Sequence, residues 1–228
     1  MMALFSDRLD AGRQLAARLT HLATRPKLIV LGLPRGGVPV AAEVARALGA
    51  PLDVFVVRKL GVPGQEEFAM GAVASGGVRV INEETVAILR IPRHLVDAVT
   101  EVEQRELARR ERLYRGDRPM PVLLGATIVL VDDGVATGST MLAAIRALRQ
   151  FSPATIIAAA PVMSQPAQTA LSEAADACVT VAVREPFHGV GMWYRDFSQT
   201  SDAEVLDLLK QAAEQSGTRR KVEHAPVS

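Results

Sequence analysis

Two rhythms of apolar residues alternate along the chain: stretches of helical period and short uninterrupted runs. Leu9, Leu15, Leu19 and Leu22 recur at helical spacing behind Ser6, a capping residue type, and predict an opening helix over about 6–23. Lys27 to Leu33 is too short for a helix and reads as a buried strand. It runs into Pro34-Arg35-Gly36-Gly37, then a helical stretch from Val38 to Leu48 that Gly49 ends. Asp53 to Val57 predicts another strand, closing on Arg58-Lys59. Gly61 to Phe68 has the composition of a mobile loop, and Ala69 to Asn82 reads as two short strands turned at Ser75-Gly76-Gly77. Pro92 to Arg115 is a long helical stretch with Leu95, Val99, Val102, Leu107 and Tyr114 on one stripe.

The second half is more regular. Thr127 to Val131 is a strand, and, after a loop over 132–140, Met141 to Phe151 is a helix with Leu142, Ile145 and Leu148 on one face. Ala154 to Ala160 is a strand, Gln165 to Ala175 a helix, and Cys178 to Val183 a strand. Asp202 to Ala213 is a last amphipathic helix. Strands alternating with helices through short connections predict a doubly wound α/β fold, a mainly parallel sheet with helices on both faces. We read residues 1–215 as one domain, with a lid over about 60–82 and a hood over about 184–200. Residues 216–228 lack periodicity and read as a disordered tail.

Composition narrows the class. The 228 residues are 49% apolar, enough for one sizeable domain. A net charge of +1 gives no electrostatic case for nucleic acid or an acidic membrane. Arg105, Arg109, Arg110 and Arg112 cluster in the long helix, but Glu101 and Glu103 interleave with them, as on a solvated face. The one cysteine, Cys178, sits in an apolar run and reads as a small buried hydrophobe. With no leader pattern and no run long enough to span a bilayer, the expectation is a cytoplasmic protein.

Candidate chemistry concentrates between strand 127–131 and the helix after it: Asp132-Asp133-Gly134-Val135-Ala136-Thr137-Gly138-Ser139-Thr140. Backbone amides of such a loop and of the first helical turn point outward unpaired, and the helix dipole adds positive charge, so a phosphate is favoured there. Thr137, Ser139 and Thr140 can add hydroxyl donors. Asp132 and Asp133 repel phosphate but can accept from vicinal hydroxyls or hold a divalent cation, directly or through water. Phosphate donors beside a diol-binding acid pair describe a ribose 5-phosphate.

A second strand–glycine–helix junction, Arg35-Gly36-Gly37, offers another anion site at a strand's C-terminal end, where open parallel sheets bind ligands. Arg58-Lys59 reads either as two cations that neutralise an anion at the mouth of the sheet or as a solvated pair. Arg184 to Phe197 holds the only tryptophan, one of two tyrosines and two of six phenylalanines. That segment suits a wall stacking a planar acceptor, or a plug packing the terminal helix. His188 reads as a proton carrier or a surface residue. A Walker lysine and a zinc spacing are missing, and so is a dinucleotide G-x-G-x-x-G, whose absence argues against a nicotinamide enzyme.

The run Val129 to Thr140 resembles the phosphoribosyl-pyrophosphate (PRPP) motif of type I phosphoribosyltransferases. Over about residues 5–210 the chain resembles bacterial phosphoribosyltransferase-like proteins carrying Leu-Pro-Arg-Gly-Gly-Val-Pro, Val-Arg-Lys and Asp-Phe-Ser-Gln-Thr-Ser-Asp. The resemblance implies transfer of phosphoribose from PRPP to a nitrogenous small-molecule acceptor with release of pyrophosphate, Mg2+ as cofactor, and a homodimer. It assigns Asp132 and Asp133 to the ribose hydroxyls and, through water, the metal. The loop from Gly134 through Val135, Ala136, Thr137, Gly138 and Ser139 to Thr140 takes the 5-phosphate. Arg35, Gly36 and Gly37, with Arg58 and Lys59, take the pyrophosphate; Arg35 and the two aspartates are the candidate catalytic residues. Ala136 departs from members acting on 6-oxopurines, which carry a basic aspartate there. A PRPP- or nucleotide-sensing protein and a hydrolase of phosphoribosyl compounds are the alternatives.

Overall fold

The computed structural model describes residues 3–223, without the side chains of residues 66, 67 and 216–223. Along the chain run α1 (Arg8–Leu19), β1 (Leu28–Gly32), α2 (Gly37–Leu48), β2 (Leu52–Val54), β3 (Val57–Val62), β4 (Gln65–Ala74) and β5 (Val78–Ile81). Next come α3 (Glu83–Ile88), α4 (Arg93–Arg115), β6 (Thr127–Val131), α5 (Ser139–Arg149), β7 (Thr155–Ser164), α6 (Gln165–Ala174), β8 (Ala177–Arg184) and α7 (Asp202–Glu223).

The short apolar runs form one parallel sheet in the order β2-β1-β6-β7-β8. Each central strand is buried on both faces, which is why it reads as unbroken rather than alternating. Register divides the side chains. Val30, Val129 and Ile157 face a layer built by α1, α2 and α7 with Leu107 and Tyr114 of α4. Ile29, Ile128 and Ile156 face α5 and α6. The doubly wound fold predicted from the pattern is the one present.

Differences lie where tertiary context overrides local pattern. The strand expected over 53–57 stops at Val54. The Phe55 amide makes a last bond to β1, donating to Gly32 O at 3.0 Å, but Val56 bonds instead to Ser75, its amide donating to Oγ at 3.0 Å and its carbonyl accepting from the Ser75 amide at 2.9 Å, which takes the chain out of the parallel sheet. It enters a second, antiparallel sheet, β3-β4-β5. Residues 61–68, expected as a loop, pair instead as a hairpin, Val62 opposite Gln65. The turn at 75–77 stands as predicted, with Gly76 and Gly77 at φ +79 and +77, a region open to glycine. On α4, Val96, Thr100, Leu107 and Tyr114 are buried while Leu95 and Val102 are exposed, so the packed stripe is rotated from the one predicted. Val96 and Val99 pack on Leu60, Val62, Met70 and Val73 of the antiparallel sheet, which sequence periodicity could not reveal.

At the start of α1, the cap is Asp7 rather than Ser6. Its Oδ1 accepts from the Asp10 amide at 2.7 Å, and Asp10 Oδ2 accepts in return from the Ser6 amide at 2.9 Å. At the other end, α7 continues to Glu223, so residues 216–223 are helical where a tail was expected; residues 224–228 lie outside the described ones. No helix among the described residues is long and apolar enough to cross a membrane.

Candidate active site

Strand β1 is flanked by β2 on one side and β6 on the other, so the chain reverses its direction of winding between β1 and β6. At such a switch point the loops leaving the two strands separate and open a crevice at the carboxyl edge of the sheet. The two loops here are residues 33–37 and 132–138, the same two singled out by their glycines and hydroxyls.

The second loop is held from below. Val135 lies between β6 and β7, its amide donating to Val162 O and its carbonyl accepting from the Ser164 amide, both at 2.9 Å. Ser164 Oγ donates to Ala136 O at 2.6 Å and also caps α6. Beyond Val135 the backbone donors are unspent. Among the described residues, the amides of Ala136, Thr137, Gly138, Thr140 and Met141 donate to nothing, and Ser139 N reaches only Thr137 Oγ1 at 3.4 Å. Gly138, at φ +77, turns these amides toward the N-terminus of α5. Ala136, Thr137, Ser139 and Thr140 are exposed, so the nest opens to solvent. Thr137 Oγ1 and Ser139 Oγ lie 3.2 Å apart at its rim. In the first loop the Pro34–Arg35 peptide is cis, and the Arg35 and Gly36 amides also donate to nothing.

Asp132 and Asp133 stand between the two nests, half-buried and leaning onto the Gly36-Gly37 turn. A Cβ on Gly36 would come 2.0 Å from Asp133 Oδ2, and one on Gly37 would come 2.7 Å from Val131 O and 3.1 Å from Asp132 Oδ1. Glycine is therefore required there by close approach. Gly134 is required likewise, since a Cβ would meet Val190 Cγ1 at 2.4 Å. Burial pushes both carboxyls above the usual range, Asp132 furthest; the charge of Asp133 adds to the rise at Asp132. At Asp133 a guanidinium pulls the other way. Arg8, at the first position of α1, places Nε 2.8 Å from Asp133 Oδ2, with side chains 12% and 13% exposed. Its Nη1 donates to Ser198 O at 2.6 Å, and its Cζ lies 4.0 Å from the centre of the Phe197 ring. Tyr194 Oη donates to the Asp133 carbonyl at 2.5 Å.

Arg8 went unnoticed in the sequence because nothing local distinguishes an arginine at the start of a helix. Only the fold brings α1, the hood and the acid pair together.

The remaining expected site residues divide. Arg35 sits on the first loop, but its side chain points toward Asp202, with Nη1 3.9 Å from Oδ1. Arg58 and Lys59 are not at the mouth of the parallel sheet; both lie in β3, because the chain leaves that sheet after Val54. Arg58 Nε is held 2.6 Å from Glu103 Oε2, whereas Lys59 lines a cleft of about 590 Å³ with Ser139 and Arg146. In the hood, Trp193 and Tyr194 are 4% and 5% exposed and pack with Phe5 and Val162, so they form a plug rather than a stacking wall. His188 is exposed. Cys178 is half-buried, and its burial pushes the thiol up.

The fold and site are thus those of a doubly wound sheet that carries two unsaturated amide nests and an acid pair at its switch point. Residues 5–190 match the phosphoribosyl transferase domain family, and the chain belongs to it. It is 46% identical over 211 residues to two Mycobacterium tuberculosis proteins whose names carry a provisional phosphoribosyl transferase assignment, covering 92% of this chain and 47% of theirs. The chain thus spans about half the length of these curated relatives. It also resembles the crystal structure of TT1426 from Thermus thermophilus, with a TM-score of 0.82 and 41% identity, covering 92% of this chain and 99% of that one.

Proposed function

We propose that the protein transfers phosphoribose from PRPP to a nitrogenous acceptor with release of pyrophosphate. The observation that carries this reading is the row of unspent amides at residues 136–138, 140 and 141, set next in sequence to a desolvated acid pair. The nest suits the 5-phosphate, and the acids suit ribose hydroxyls that donate to them. The free amides of Arg35 and Gly36, across the crevice, suit the pyrophosphate. In the reaction an acceptor nitrogen forms a bond to the anomeric carbon as its bond to the pyrophosphate oxygen breaks. The acceptor's proton passes to solvent or to the substrate itself, since Ala136 offers no base. Holding both ends of the sugar phosphate converts the encounter into a positioned one, and donors along the leaving group stabilise its growing charge.

The acid pair fits Mg2+ only as a partner. Among the described residues no group of three or more acidic, histidine or cysteine side chains gathers, whereas Mg2+ binds readily through one or two carboxylates plus substrate phosphates and water. Asp132 and Asp133 would hold it, and it would offset charge on the pyrophosphate. A cytoplasmic location and a homodimer belong to the same reading.

One observation favours a second reading, binding of PRPP or a nucleotide without transfer: Arg8 already occupies one Asp133 oxygen. A Mg2+-dependent pyrophosphate-release assay across nucleobases and small amines, run beside PRPP titration calorimetry, decides between them. Release that Asp132→Asn abolishes supports transfer. PRPP binding without release with any acceptor supports sensing, and release unaffected by Asp132→Asn removes the proposed ribose site.

A further inference from the structure

Every polar atom of Asp133 but one is engaged. Its amide donates to Asp132 Oδ1 at 2.9 Å, its carbonyl accepts from Tyr194 Oη at 2.5 Å, and its Oδ2 accepts from Arg8 Nε at 2.8 Å. Among the described residues no donor reaches Asp133 Oδ1 or Asp132 Oδ2, and neither oxygen is sealed from solvent. The pair therefore presents one free oxygen from each of two neighbouring acids. Arg8 is fixed as firmly as the carboxylate it holds. Its Nη1 donates to Ser198 O at 2.6 Å and its Cζ lies 4.0 Å from the centre of the Phe197 ring. Gly36 leaves room for it, since a Cβ there would lie 3.3 Å from Nε.

The contact changes what the pair can bind. Two adjacent ionised carboxylates with no cation beside them repel each other and attract a divalent ion without help from any other ligand. With Arg8 on Oδ2, one of the two charges is offset, and the Asp133 amide and the guanidinium together take two of the four carboxylate oxygens. What remains, when both acids are ionised, is one net negative charge and two free acceptors. That is little with which to dehydrate Mg2+, but it matches two vicinal hydroxyls, which donate and carry no charge. The guanidinium fork, held on a ring and a carbonyl, also fixes which Asp133 oxygen stays free.

We propose that Arg8 makes the acid pair selective for a vicinal diol: its guanidinium holds Asp133 in one orientation and keeps the pair from taking a divalent cation before the sugar phosphate arrives. It acts through Asp133 and is a positioning residue. The inference rests on the reading of the pair as the ribose site, which transfer and sensing share, and it needs neither turnover nor an acceptor.

Two measurements test it on the full chain, Arg8→Met and Arg8→Lys. Each variant is first checked for folding by its melting temperature and by the emission of Trp193, the only tryptophan and a residue of the hood. Calorimetry then compares ribose 5-phosphate with 2-deoxyribose 5-phosphate. The parent should prefer the ribose compound at least about tenfold, as for a hydrogen bond to a charged group, and Arg8→Met should lower that ratio at least about threefold. Electron paramagnetic resonance follows Mn2+, standing in for Mg2+, titrated into the protein without sugar phosphate. Arg8→Met should bind Mn2+ at least about tenfold more tightly than the parent, a gain that lost packing alone would not produce. Arg8→Lys returns the charge but not the fork, so it should bind Mn2+ as the parent does and keep a lowered diol ratio. A folded Arg8→Met with the parent's diol ratio or the parent's Mn2+ affinity overturns the proposal alone. If Arg8→Met does not fold, a parental diol ratio in Arg8→Lys overturns it. A parent indifferent to the 2-hydroxyl removes the ribose site and this inference with it.

Discussion

Arg8 and Asp133 are 125 residues apart in sequence, yet their side chains meet at 2.8 Å beneath the hood, and the same guanidinium reaches Ser198 O. One contact thus ties the first helix, the acid pair and the segment before α7 into a single unit. Removing one partner of a largely buried pair leaves the other charge uncompensated. Arg8→Met keeps the stem over Phe197 and should cost about 2 kcal/mol in urea unfolding. A double-mutant cycle with Asp133→Asn should recover part of that loss. Strictly additive losses would show that the contact contributes no coupling.

Asp132 is the opposite case, a carboxylate that burial and Asp133 both disfavour. A folded-state value raised above the unfolded one contributes stability that is present below the ordinary carboxylate range and lost as pH rises through the folded value. Wherever the pair is ionised, it therefore strains the unliganded protein. Asp132→Asn keeps an oxygen for the Asp133 amide, now 2.9 Å from Oδ1, and should stabilise the unliganded protein by about 1 kcal/mol at pH 7 while abolishing the thermal shift caused by PRPP with Mg2+. A variant less stable than its parent would contradict this account.

Gly37→Ala places a methyl group 2.7 Å from Val131 O and 2.9 Å from Asp132 Cα, both backbone atoms that cannot step aside. The expected cost is about 2–3 kcal/mol, with weaker PRPP binding because the two loops are forced apart. Gly138→Ala, whose Cβ would find its nearest neighbour at 3.7 Å, should cost only about 1 kcal/mol from its positive φ. Equal losses for the two variants, measured by denaturant titration, would refute the close packing of the loops.

The chain has two tyrosines, and the fold pushes both hydroxyls up. Burial and then the Asp202 carboxylate raise Tyr114 to about 12; burial and Asp133 raise Tyr194 further. Both protonated forms are favoured in the folded state, so this contribution is complete below about pH 10 and is lost as pH rises through about 12. Phenolate absorbance of the native protein should show no step near pH 10, while the urea-unfolded chain should titrate there. A native step near pH 10 would place at least one hydroxyl in water.

The sequence alone determined the parallel sheet, since strands buried on both faces must be uninterrupted apolar runs and the helices between them must carry an apolar stripe. It also determined the two loops, because unspent amides at a helix start require small residues, and those are visible as letters. Tertiary structure alone decided the rest. Whether 53–57 stayed in the sheet depended on hydrogen bonds between Val56 and Ser75, and the fates of Arg58 and Lys59 came with that. Whether the aromatics of 184–197 faced a ligand or the core depended on what Phe5 and Val162 presented to them. Arg8 at Asp133, and Arg35 beside Asp202, are encounters between distant segments. Local periodicity records which face of an element is apolar, but not which charged groups the folded chain carries to one place.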